Sequence, residues 1–151
     1  MSFSFSSILS AAVLAIAAAI LPVSSSIAQD ASVIGTWLTE KGDAQIRVTQ
    51  CGVGICGRVA SLREPIDPQT GKPQVDDKNP NPSLANRPMI GINLFNNMRP
   101  VGPGRWEGSI YNADDGQFYA SKVTLQSPTA LRVEGCVGAL CGGETWTRAD
   151  R

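Results

Sequence analysis

Four cysteines are the side chains best suited to chemistry in this chain: Cys51, Cys56, Cys136 and Cys141. Within each local pair four residues intervene. Four cysteines allow three pairings, and an even count in an exported domain reads as disulfides. Register favours the two local bridges. If Cys51 faces Cys56, Val48 faces Val59 and Ile46 faces Ser61, so Ile46, Val48 and Val59 share a face. If Cys136 faces Cys141, Val133 faces Glu144 and Leu131 faces Trp146. Leu131, Val133 and Trp146 then share a face, which Glu144 joins. A slip of one residue would turn every side chain over, so each bridge would pin its hairpin. Zinc held by both pairs is the competing reading. Thiol–disulfide catalysis normally uses two intervening residues and fits poorly.

The rest of the catalytic repertoire is thin. The chain has no His, which removes the commonest general base, the Ser–His and Cys–His nucleophile pairs and the commonest metal ligand. Asp114-Asp115-Gly116 offers paired carboxylates, but Asp-Gly serves hairpin turns for backbone reasons alone. Asp76 and Asp77, ahead of Asn79-Pro80-Asn81-Pro82, offer oxygens to calcium. No Asp-x-Asp-x-Asp-Gly loop with a closing Glu accompanies them, and turn chemistry accounts for them. Arg87, beside Pro88, could grip a ligand carboxylate with two hydrogen bonds, or pair with Asp76 or Asp77 instead. Trp106, Tyr111 and Tyr119 are candidates for lining a ligand cavity, and equally for filling a core. We therefore expect no catalytic residue, no metal and no cofactor.

What positions these residues is a run of short strands. Thirteen basic and 13 acidic residues balance, which argues against nucleic acid or an anionic membrane as partner. An apolar run from Ile8 to Val23 is short for a membrane span and suits a signal peptide. Ser26-Ile27-Ala28 places small residues for cleavage after Ala28. The expectation is a signal peptide over 1–28 and a single domain over 29–151, periplasmic or secreted, with no membrane span after cleavage. Met1 to Ser7 carry no Lys or Arg, so an uncleaved anchor is the alternative.

Strands are expected at Ile34–Thr39, Ala44–Gln50, Ile55–Leu62, Met89–Phe95, Arg105–Tyr111, Gln117–Leu125, Ala130–Cys136 and Cys141–Arg148. Gly, Asn, Asp and Pro clusters separate them, and most connections are short enough for antiparallel hairpins. Eight such strands can close into an up-and-down barrel, which abolishes sheet edges; a two-sheet sandwich is the alternative. One connection is long. Residues 63–88 hold Pro65, Pro68, Pro73, Pro80, Pro82 and Pro88, which excludes a central strand. This loop could rest over one end of the barrel as a lid, or be a solvated loop without a ligand role.

Gly35-Thr36-Trp37 on the first strand and Trp146-Thr147-Arg148 on the last resemble lipocalin-type barrels. In those a Gly-x-Trp and a late Arg pack together to close one end, so Gly35, Trp37 and Arg148 are the barrel-closing candidates. A guanidinium over an indole gains cation–π energy. Further segments resemble a narrower bacterial family, domain of unknown function 2147. They are Asp77-Lys78-Asn79-Pro80-Asn81-Pro82, Arg87-Pro88-Met89-Ile90-Gly91, Trp106-Glu107-Gly108-Ser109-Ile110-Tyr111, Asp115-Gly116-Gln117-Phe118-Tyr119 and Leu131-Arg132-Val133-Glu134-Gly135. Asn112-Ala113 departs from an expected Asp-Pro. The resemblance implies an exported, all-β, eight-stranded barrel, lipocalin-like or fatty-acid-binding-protein-like, without a known activity.

The expected function is non-catalytic binding of a small apolar or amphipathic ligand, such as a fatty acid with its head at Arg87. The alternative is a filled barrel that presents its loops to an envelope protein, inhibitor-like. A hydrolase using Asp and Glu without His is a third reading. The barrel interior discriminates: an open apolar cavity favours a binder, and a filled core with an exposed apolar patch favours a protein partner.

Overall fold

A computed structural model describes residues 32–149. The expected signal peptide over 1–28, its cleavage after Ala28 and the start of the mature domain lie outside the described residues. Eight strands form a closed antiparallel barrel in sequence order: β1 (Gly35–Leu38), β2 (Ala44–Cys51), β3 (Gly54–Leu62), β4 (Asn93–Gly102), β5 (Arg105–Asn112), β6 (Gln117–Ser127), β7 (Ala130–Val137) and β8 (Leu140–Arg148). The closing pair is β1 with β8, where Trp37 faces Arg148. The sandwich alternative is thereby excluded.

The up-and-down order separates two ends. The β1–β2, β3–β4, β5–β6 and β7–β8 connections gather at one, which we call the loop end. The β2–β3, β4–β5 and β6–β7 turns gather at the far end. Side chains alternate between the two faces of each strand, and the inward set includes Trp37, Ile46, Val48, Val59, Val123, Leu131, Val133 and Trp146, all buried.

Both local disulfides are present, Cys51–Cys56 and Cys136–Cys141. The β7–β8 register is the expected one, with Cys136 facing Cys141 and Leu131 facing Trp146. The β2–β3 register is not. Cys51 faces Gly54 and Thr49 faces Cys56, because the chain reverses through Gly52-Val53, with Gly52 at φ 58, rather than through a wider turn. The bridge therefore runs diagonally. The shift is an even number of residues, so it leaves each side chain on its expected face, and Ile46, Val48 and Val59 are still buried together.

β4 begins and ends later than its expected Met89–Phe95. Asn97 at φ 49 interrupts the alternation, so Phe95 and Met98, three positions apart, are both buried. A period of two cannot reveal such a strand. Pro100 also sits within it, next to a register shift between Pro100 and Gly102, where a missing donor is tolerated.

The loop between β3 and β4 is ordered by its own backbone. Isolated bridges join Ile66 to Pro73 and Val75 to Pro88, and Gly91 and Val59 tie the loop's end back to β3. Its middle docks on the β5–β6 turn: a Cβ on Gly116 would lie 1.9 Å from the Lys78 carbonyl oxygen. Only glycine permits that approach, and its φ of 72° suits glycine as well.

Candidate functional site

A cavity of about 860 Å³ occupies the loop end of the barrel. Ile46, Val59, Leu94, Ile110, Val133 and Trp146 supply its apolar wall. Thr39 to Lys41, Asp43, Ala44, Leu62 to Glu64 and Asn112 to Asp114 form the rim. The long loop contributes Gln74 and Met89, whose backbones are joined by a 2.9 Å hydrogen bond. The loop thus builds one side of the mouth, while its middle packs beside the barrel against β5 and β6.

Part of the cavity wall lacks side chains. Gly135, Gly142 and Gly143 all line it. Gly135 and Gly142 face each other across β7 and β8, and a Cβ on Gly142 would meet nothing within 4 Å.

Of the expected ligand residues, Tyr119 lines this space. Its hydroxyl donates to Asp115 at 2.7 Å, and that bond, more than burial, holds its pKa above the ordinary value. Tyr111 stands at the rim but is tied to the loop. Its hydroxyl donates to Asp76 Oδ1 at 2.7 Å, and its ring contacts Phe118 with centroids 5.0 Å apart. Burial foremost, then that bond to Asp76, raises its pKa. Trp106 is half-buried against the core and is not part of the cavity wall.

Arg87 is engaged elsewhere. Its Nη2 lies 2.8 Å and its Nε 2.9 Å from Asp76 Oδ2. Asp76 is fully buried and also accepts from Asn79 Nδ2 at 2.8 Å. Asn79 further donates to the Tyr111 hydroxyl at 3.0 Å. A buried carboxylate is costly unless donors surround it, and here one cation and two neutral donors do so. Arg87 does not line the large cavity. The structure therefore places it where the salt-bridge alternative did, with the loop's own aspartate rather than at the mouth.

At the far end, Trp37 is fully buried and its Nε1 donates to the Val33 carbonyl at 2.8 Å. The Arg148 guanidinium lies 4.3 Å from the ring centroid and donates to the carbonyls of Pro128, Ile34 and Ser32. Gly35 precedes them on β1, in register with Val48. The three barrel-closing candidates thus gather at the end opposite the cavity.

Glu144 was not among the candidates, although the expected register had already set it on the inward face. It lines the cavity, faces Val133 and accepts a hydrogen bond from Trp146 Nε1 at 2.5 Å. An acidic residue between inward-facing apolar ones was the available signal. Among the described residues no group of three or more His, Cys, Asp or Glu side chains could hold a metal ion. Nor is any helix long and apolar enough to cross a membrane.

A solved structure with the same fold is protein HP1028 from the human pathogen Helicobacter pylori, described as belonging to the lipocalin family. The two superpose with a TM-score of 0.65 at 22% identity, covering 79% of this chain and 84% of that one. No curated protein sequence matches the chain. A family profile described as "Uncharacterized protein conserved in bacteria" matches residues 35–148. That span runs from the first strand of the barrel to the last, and the chain belongs to this family, DUF2147.

Proposed function

We propose that this protein is a non-catalytic binder that takes a small, partly apolar ligand into the loop end of its barrel. The observation that carries the reading is the cavity of about 860 Å³ with an apolar wall and a polar rim. Its volume falls in the range of small-molecule sites, and an eight-stranded barrel has room for one such ligand. The lipocalin-like architecture adds support at the level of fold alone. A filled barrel acting only through its surface would not need this space. Two disulfides in so small a domain fit an oxidising compartment, which supports export to the periplasm or beyond.

Gly142 supplies the test, because its missing side chain leaves room at the cavity wall. The wild type should bind the neutral probe N-phenyl-1-naphthylamine with enhanced fluorescence and micromolar affinity. Gly142→Phe should fold normally, since no atom obstructs its Cβ, and should weaken binding at least tenfold. Absence of probe binding by the wild type, or equal binding by the variant, would refute a ligand in this cavity.

A further inference from the structure

We propose that the ligand's polar head is a cation, a protonated amine or quaternary ammonium on an apolar chain, received by Glu144 and the Trp146 and Tyr119 rings. This rests on the cavity-binding reading and names the chemistry that the cavity selects.

Charge is the first argument. Five carboxylates line the cavity against two cations, Lys41 and Arg63. Among the described residues no ion pair joins any of those five to a basic side chain. The Glu40 and Asp43 carboxylates accept from neutral donors, the Thr145 amide and the Thr39 hydroxyl, rather than from a cation. A cleft of one sign with low-dielectric walls concentrates counter-charge.

Geometry is the second. Glu144 shares the inward face of β8 with Trp146. The indole N–H holds one carboxylate oxygen at 2.5 Å, which fixes the carboxylate beside an aromatic ring. Carboxylate and aromatic faces together are the elements that recognise ammonium groups. Tyr119 adds a second ring on the lining. Gly142, next but one to Glu144 on the same face, leaves open space there.

An orphaned polar atom is the third. Ser121 Oγ is buried without a hydrogen-bond partner. Ser121 lies on the inward face of β6, two residues from Tyr119 and opposite Gly135, both of which line the cavity. Ser121 is not itself on the lining, so only a protonated amine reaching past Tyr119 and Gly135 would meet this acceptor, and a quaternary head, which has no N–H, leaves it unused. The Arg87 guanidinium is committed to Asp76 and does not line the cavity, so an anionic head finds only Lys41 and Arg63 at the rim, outnumbered by the five carboxylates.

The experiment compares three ligands with one chain length: dodecyltrimethylammonium, dodecanol and dodecanoate, below their micellar concentrations, by displacement of N-phenyl-1-naphthylamine. The wild type should bind the ammonium at least tenfold more tightly than dodecanoate. Glu144→Gln keeps an acceptor for the indole, and should weaken the ammonium about tenfold while leaving dodecanol within twofold. Asp114→Asn, at the exposed rim, should give a smaller loss that vanishes in high salt. Tighter binding of dodecanoate, or an ammonium affinity unmoved by both substitutions, overturns the proposal. If dodecanol binds the wild type but not Gly142→Phe, the cavity reading stands whatever the head-group result. If none of the three binds, both readings fall.

Discussion

Arg148 and Trp37 face each other across the seam that closes the barrel, with the guanidinium 4.3 Å from the ring centroid. The same guanidinium gathers the carbonyls of Ser32, Ile34 and Pro128, so one side chain ties β8, the segment before β1 and the β6–β7 turn. Trp37→Ala should cost about 3–5 kcal/mol, the usual loss for a large buried aromatic. Arg148→Ala should cost less, and Arg148→Lys should recover only part of that, since an ammonium can neither stack nor donate along a planar fork. Urea denaturation measures all three. Unchanged stability in Arg148→Ala would show that the seam does not depend on this contact.

Asp76 and Arg87 predict an asymmetry. The Asp76 side chain is fully buried, whereas that of Arg87 is 35% exposed. Arg87→Ala strands a carboxylate in the interior and should cost about 3–5 kcal/mol, as for other broken buried pairs. Asp76→Asn leaves Arg87 free to turn to water and should cost less. Both should speed proteolytic cleavage within residues 63–92. If Asp76→Asn is the more damaging, the buried charge is not what the network stabilises.

The docking of the long loop on the β5–β6 turn can be probed separately. Gly116→Ala places a methyl against the Lys78 carbonyl and asks an L-residue to hold φ 72°. Both effects act in one direction, so the loop should lift from the turn, seen as faster amide exchange around Lys78 and Asn79. The strands opposite, β1 and β2, should keep their protection.

These relationships differ in how far they could be read from residue order. The hairpins were legible because Asp-Gly, Gly-Val and Ser-Pro turns break an alternation of period two, and because two cysteine pairs bracket turns. The faces of Ile46, Val48 and Val59 were legible even though the register of β2 on β3 was not: a displacement of two residues preserves faces. The second half of β4 escaped because the irregularity at Asn97 destroys the period that would announce it. The partner of Arg87 was open between a ligand and an aspartate, since choosing requires knowing that Asp76 lies under the loop beside Tyr111, 35 residues away in sequence. Glu144 was visible on the inward face, but only the open space at Gly142 beside it, a tertiary fact, makes that position part of a cavity.

Reducing the two disulfides should lower the melting temperature without unfolding the domain at 25 °C. Each bridge closes a small loop, with a sequence separation of 5, and the chain-entropy model gives about 2 kcal/mol for such a loop. Because Cys136 faces Cys141 directly while Cys51 and Cys56 are offset, the Cys136→Ser/Cys141→Ser double variant should leave its two positions still paired across β7 and β8. Nuclear Overhauser contacts between those strands read this out. Global unfolding on reduction would mean that the bridges carry more than local closure.

The two tyrosines of this chain predict an alkaline signature. Both native pKa values are raised: Tyr111 first by burial and then by its bond to Asp76, and Tyr119 first by its bond to Asp115. An unfolded tyrosine titrates near 10. The protonated phenols are therefore favoured in the native state. The stability they contribute is fully present below the unfolded value and is lost as pH rises through the folded ones. Phenolate absorbance at 295 nm should thus appear at higher pH in the native protein than in guanidinium, with no native tyrosine titrating at or below the unfolded midpoint. Tyr111→Phe should remove the buried phenol from that titration and, by leaving Asp76 short of a donor, cost about 1–3 kcal/mol at neutral pH. Tyr119→Phe should leave the Tyr111 titration high. It should also let the Asp115 carboxyl, held low chiefly by the Tyr119 hydroxyl, move back towards the ordinary carboxylate value. A phenol that ionises in the folded protein as it does in the unfolded chain would show that its bond to the neighbouring aspartate is not made in solution.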